Sequence, residues 1–141
     1  MKRIYTFGHE QVERNITVGD IISNKNNNIK MTQVTAANQE EASIVAEENI
    51  DMIITGSDWY EDVRKGAPNT FITAALFAGR FITNEEILRG AFDVMMKGAD
   101  SVLTPRSFDV VEMLAKEGMQ VQGHVGMVPS MATKYLSLIH I

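Results

Sequence analysis

The sequence predicts an α/β domain built on parallel strands. Strand-like and helix-like segments alternate strictly, each unit spans roughly 20–25 residues, and the connecting loops are short. Strands separated by helices in this way run parallel and are joined by right-handed crossovers. Two architectures satisfy the pattern: an open doubly wound sheet and a part of a (β/α)8 barrel. No Gly-x-Gly-x-x-Gly follows a strand and no P-loop is present, so a nucleotide-binding open sheet has no positive support. A complete barrel takes about 250 residues, and this chain has 141, a little over half.

About five strands and four helices can be read in order. Ile29–Thr35 alternates apolar and polar residues over its first half and follows Asn24–Asn28, a turn or surface loop. Asn38 is a good N-cap, and Ala42, Val45, Ala46 and Ile50 form the stripe of the helix behind it. Asp51–Thr55 is a continuous apolar run stopped by Gly56, as in a strand covered on both faces. Trp59–Lys65 reads as a short helix closed by Gly66, and Thr70–Leu76 as the next strand. Thr83 opens a longer helix with Ile87, Leu88, Ala91, Val94 and Met95 on one stripe and Gly98 after its last turn. Asp100–Thr104 is a strand. Ser107 caps a helix that buries Val110, Val111 and Leu114 and ends at Gly118. Met119–Gln122 then leads into Gly123-His124-Val125-Gly126. The nine methionines fall mostly on helix stripes and read as core filler.

Composition narrows the classes of function. Thirteen Lys and Arg against 18 Asp and Glu give a net charge of −5, which argues against nucleic acid as the main partner. The absence of cysteine excludes disulfides, thiolate metal sites and a cysteine nucleophile. No apolar run approaches 18 residues, and the basic start Met1-Lys2-Arg3 lacks the apolar stretch of a signal peptide, so a soluble cytoplasmic protein without a membrane partner is expected.

Three segments occur in order at characteristic spacing: Arg64-Lys65-Gly66-Ala67-Pro68-Asn69-Thr70, Gly98-Ala99-Asp100-Ser101-Val102 and Gly123-His124-Val125-Gly126-Met127-Val128-Pro129. With them the chain resembles the ketopantoate hydroxymethyltransferase (3-methyl-2-oxobutanoate hydroxymethyltransferase) family, whose fold is similar to the phosphoenolpyruvate mutase and isocitrate lyase barrels. The third segment is the most specific. The resemblance covers about Ile16 to Lys134, the amino-terminal half of the family's barrel. It implies a partial (β/α)8 TIM barrel over residues 1–134, followed by a tail, 135–141, that departs from the family and looks like appended sequence or a short helix. A barrel left unclosed would expose an edge strand, so the isolated chain is expected to be unstable or to self-associate.

The same resemblance implies an enzyme that moves a one-carbon unit from methylenetetrahydrofolate to the enolate of a 2-oxo acid, with Mg²⁺ as cofactor and a homo-oligomeric full-length parent. Removing a proton beside a carbonyl needs stabilisation of the developing charge, which a metal on the carboxylate and keto oxygens supplies. Against that requirement the sequence departs from the family. Ser57 stands where the family's second strand carries a metal-binding Asp, with Asp58 displaced by one. Ala75 replaces a second Asp, and Leu103-Thr104-Pro105 with Arg106 replaces the stretch holding a Lys and a Glu. A divergent paralogue without the Mg²⁺ site, handling another 2-oxo acid, is therefore the alternative, as is an inactive fragment. The family's base lies in the later half.

His124 is the catalytic candidate; its alternative is a histidine satisfied by backbone at a tight turn. Thr35, Ser57 and Arg106 are candidates for binding substrate: Thr35 and Ser57 by alignment, Arg106 because a guanidinium grips a carboxylate bidentately. Asp58 is either a metal ligand or the cap of the helix that follows. Ser107 is a cap and not a nucleophile, since no base is near it in sequence.

Overall fold

The computed structural model describes residues 1–126 and residue 128; the expectations placed on residues 129–141 lie outside the described residues. The chain begins with an antiparallel hairpin, β1 (Lys2–Tyr5) and β2 (Gln11–Arg14), and a helix, α1 (Val18–Asn26). Alternation then starts: β3 (Gln33–Thr35), α2 (Gln39–Glu47), β4 (Met52–Gly56), α3 (Tyr60–Gly66), β5 (Phe71–Ala75), α4 (Asn84–Met96), β6 (Ser101–Thr104), α5 (Phe108–Lys116) and β7 (Val121–Gly123). Strands β3 to β7 form one parallel sheet in sequence order. The expected five parallel strands and four crossover helices are all present.

The hairpin and α1 are additions to the sequence-based reading. Neither has an apolar face: β1 and β2 are mostly exposed and α1 buries no residue, so neither shows periodicity. The start of α1 is nevertheless encoded, because Thr17 and Asp20 form a capping box. Asn24–Asn28 is thus not simply a loop. Asn24 and Asn26 belong to the last turn of α1, Asn27 is its C-cap, and Asn28 turns out of it with φ 55°.

Three terminus assignments change in their physical basis. Gly66 does not close α3; it lies inside it, where an added Cβ would meet the Gln39 carbonyl oxygen at 2.1 Å. Its role is to let α3 pass close to the start of α2. Ser107 sits at the N-cap of α5, but its side chain makes no capping bond. Asp58 caps nothing, since the N-cap of α3 is Trp59 and no side chain bonds there. Asn38 and Thr83 do cap α2 and α4, accepting from the Glu41 and Glu86 amides.

The register sorts the sheet into two faces. Ile53 pairs with Ile72, and Ala74 with Val102, on the face covered by helices. These four join Val63, Ile87, Met95 and Leu114 in the buried core. The other face carries Ile54, Thr73 and Ser101 in one row and Gly56, Ala75, Leu103 and Gln122 in another.

This second face is curled. The Gln122 amide approaches the Gln33 side-chain oxygen to 3.5 Å, although β3 and β7 are opposite edges of the sheet. In a flat five-stranded sheet those edges would stand about 19 Å apart, more than two glutamine side chains of about 5 Å each can span. The register also shears. Gln33 pairs with Met52, whereas following Gln122 back across the sheet leads through Leu103 and Ala75 to Gly56, four residues beyond Met52. Four residues over four strand steps is one per strand, which is the shear of a (β/α)8 barrel. Gln33, Thr73 and Gln122, from alternate strands, accordingly make one interior layer, and Thr35, Ala75 and His124 make the layer above it.

A buried ionic knot fixes the opposite pole, at the amino ends of the strands. Asp100 accepts from Arg14 at 2.6 Å through one oxygen, and from Arg64 at 2.7 Å and the Ile72 amide at 2.8 Å through the other. The guanidinium groups also donate to carbonyls, Arg14 to Pro68 and Gly98 and Arg64 to Ala67 and Thr70, and Arg64 Nε donates to the Tyr60 hydroxyl. Asn15 adds bonds to the Asp51 carbonyl and the Phe71 amide. The hairpin is thereby tied under β4, β5 and β6.

Candidate functional site

At the carboxyl ends of the parallel strands lies a cavity of about 570 Å³, where barrels build their sites. Its floor is the upper interior layer, Thr35, Ala75 and His124, with Ile54 and Leu103 interleaved from the even strands. Its lip is formed by Trp59, at the entry to α3, and Phe77, in the loop after β5. Both rings lie against Gly56: an added Cβ there would meet Phe77 at 3.1 Å and Trp59 at 3.2 Å. Large apolar side chains left half exposed at a concave surface mark a place where something binds. His124 is the sole titratable side chain lining the cavity among the described residues, and its backbone amide bonds the Thr104 carbonyl at 3.3 Å.

Of the residues singled out from the sequence, the fold brings Thr35 and His124 together in this mouth. They are 89 positions apart in sequence, and they meet because the sheared register places both in one layer. Ser57 and Asp58 go elsewhere. Strand alternation turns Gly56 inward and Ser57 outward, so Ser57 and Asp58 line a separate groove with Arg80, Phe81 and the first half of α4. There Asp58 is ion-paired with Arg80, both half exposed. Arg106 is also committed. Its guanidinium donates to the Ile82 carbonyl at 2.7 Å, the Phe81 carbonyl at 3.3 Å and the Asn84 side chain at 3.2 Å. It therefore staples the loop that follows Phe77 and does not line the mouth.

The described residues do not fit a Mg²⁺ cage. A hard cation takes carboxylate oxygens, yet no carboxylate lines the mouth, and Asp58 faces away from it, held by Arg80. No group of three or more His, Asp or Glu side chains comes together among the described residues. The lip residues Trp59 and Phe77 escaped the sequence reading. Trp59 was legible only as the start of a helix, and nothing local shows that a ring after β5 folds over Gly56.

The motifs themselves divide between the two poles. Arg64–Thr70 and Gly98–Val102 build the ionic knot beneath the sheet, while Gly123-His124-Val125-Gly126 opens onto the mouth.

A 3-methyl-2-oxobutanoate hydroxymethyltransferase of Deinococcus radiodurans is 41% identical over 76 residues, which is 50% of this chain and 27% of the relative. Enzymes of the same name from Geobacillus thermodenitrificans and Kosmotoga olearia are 30% and 29% identical over 139 residues, covering 80% and 81% of this chain and 50% and 52% of theirs. The chain is a partial match to the 3-methyl-2-oxobutanoate hydroxymethyltransferase family. It spans about half the length of these curated relatives or less. No family model matches it. The curled parallel sheet agrees with the barrel that this family likeness led us to expect. No helix among the described residues is long and apolar enough to cross a membrane.

Proposed function

We propose that the protein is a transferase of the hydroxymethyltransferase type, and that the mouth binds a 2-oxo acid such as 3-methyl-2-oxobutanoate, with methylenetetrahydrofolate as one-carbon donor. One observation carries the reading: the family's histidine segment, matched at Gly123–Gly126, opens into an apolar cavity at the carboxyl ends of parallel strands. In the proposed reaction carbon 3 of the acid loses its proton and bonds to the donor's methylene carbon, whose two bonds to nitrogen break; water supplies the hydroxyl oxygen, and the protons from carbon 3 and from water leave on the nitrogens of tetrahydrofolate. His124 is suited to hold the acid's carboxylate or keto oxygen, and the Thr35 hydroxyl to orient it from across the layer. Ile54, Ala75 and Leu103 exclude water from its apolar end.

A second reading is favoured by a specific observation. The aligned Ser57 points out of the mouth, Ala75 carries no charge, and Asp58 is bound to Arg80. These features support a paralogue on the same barrel that handles its 2-oxo acid without Mg²⁺.

Proton NMR of the full chain with 3-methyl-2-oxobutanoate in deuterated water separates the two. The transferase reading expects the isopropyl methyl doublet to collapse to a singlet as carbon 3 exchanges its proton. Adding methylenetetrahydrofolate should then yield a new hydroxymethyl resonance. Binding without exchange or product would favour the paralogue, and neither binding nor exchange would overturn both.

A further inference from the structure

We propose that Trp59 and Phe77 are the specificity-determining residues of the mouth, selecting a 2-oxo acid with an apolar side chain larger than methyl, bound without a divalent cation. The inference rests on the reading that this mouth binds a 2-oxo acid, and it adds which acid and by what means.

Gly56 is what lets the two rings meet. It is the last residue of β4 and faces the barrel interior in the same row as Ala75. Because it lacks a Cβ, the edges of both rings descend onto the backbone, to 3.1 and 3.2 Å from where that atom would be. The two rings are thus a built pair and not two stray surface aromatics. Both remain about half exposed, Trp59 at 48% and Phe77 at 53%. Each therefore keeps apolar area that a ligand entering the mouth would cover. Below them the wall is Ile54, Ala75, Leu103 and Pro105, without a carboxylate. A volume of about 570 Å³ falls in the range of sites for much larger ligands, about 300–1,000 Å³. A three-carbon acid would leave most of that wall uncovered. A longer branched chain covers it, and each additional buried carbon strengthens binding about fourfold.

The fixed geometry supports selection over mere adhesion. Arg106 holds the carbonyls of Phe81 and Ile82, and the Arg80 and Phe81 amides donate to the Phe77 carbonyl at 3.0 and 3.2 Å. The loop carrying Phe77 is tied at both ends. Among the described residues, the polar groups left to meet the acid are Thr35, His124 and strand-end backbone, since the Asp58 carboxylate belongs to Arg80 on the other side of β4.

Calorimetric titration of the full chain with pyruvate, 3-methyl-2-oxobutanoate and 4-methyl-2-oxopentanoate, each in Mg²⁺ and in EDTA, tests the proposal. The expected order of affinity rises from pyruvate to the six-carbon acid, by about fourfold per added carbon, and is the same in both buffers. Binding confined to Mg²⁺, or pyruvate as the tightest ligand, would overturn the inference while leaving the 2-oxo acid reading intact. No binding by any of the three would overturn both. Trp59→Ala and Phe77→Ala should each compress the ranking with the pyruvate affinity kept within twofold. Equal weakening of all three acids in variants with an unchanged melting curve would show that the rings only support the fold, and would also overturn it.

Discussion

The Asp100 carboxylate lies 2.6 Å from the Arg14 guanidinium, a bond that joins residues 86 positions apart and closes the amino-terminal pole of the sheet. Its other oxygen serves Arg64, so one acid is shared by two cations whose side chains are 3% and 16% exposed. Removing one member of a buried ionic group strands the others, at a cost of about 3–5 kcal/mol. Asp100→Asn is therefore expected to lower stability by about that amount in urea unfolding. The exposed pair Asp62–Lys65, with both side chains more than 60% accessible, contributes little by comparison, and Lys65→Ala should leave the urea midpoint essentially unmoved.

Thr55 carries the opposite kind of error. Its hydroxyl is buried without a hydrogen-bond partner on β4. Valine has the same shape and no polar atom. Thr55→Val is expected to stabilise the fold by about 1–2 kcal/mol, read as a rise in the thermal midpoint; a fall would show that the hydroxyl is satisfied.

Gly66 marks the closest approach of α2 and α3. A methyl group there would lie 2.1 Å from the Gln39 carbonyl oxygen, a backbone atom that cannot rotate away. Gly66→Ala should therefore destabilise by about 1–3 kcal/mol, although alanine is the better helix former. Differential scanning calorimetry decides the sign.

The hairpin and α1 should loosen in acid. Asp20 bonds Lys2 and then Thr17, and these interactions hold its carboxyl at about 2, below its ordinary value of 3.8. A carboxylate depressed in the folded state contributes stability that is complete above its ordinary value and is lost as pH falls toward the folded one. The protection of amides 17–21, taken relative to the intrinsic exchange rate at each pH, should thus fall between about pH 4 and about pH 2. Asp20→Asn should lower that protection throughout and remove the pH step.

His124→Asn leaves the interior layers in place and removes the imidazole from the mouth. If His124 holds the acid, binding of 3-methyl-2-oxobutanoate should weaken by roughly ten- to a hundredfold, the worth of a hydrogen bond to a charged group. The melting curve should not move, since the side chain is only half buried.

The sequence by itself determined the rhythm of the barrel and the places where helices begin. Apolar runs such as Met52–Thr55, and caps such as Thr83 with Glu86, act over a few residues and can be read from those residues. The family segments were legible too, but not what they are for. Two of them build the Arg14–Asp100–Arg64 knot, which depends on residues far apart in the chain and on a hairpin without periodicity. Tertiary structure alone decided which candidates share a site. The one-residue shear per strand puts Thr35 and His124 in one layer, while strand alternation turns Ser57 out of the mouth and the pairing with Arg80 holds Asp58 outside it. Curvature and register are properties of five strands together, so no single segment encodes them.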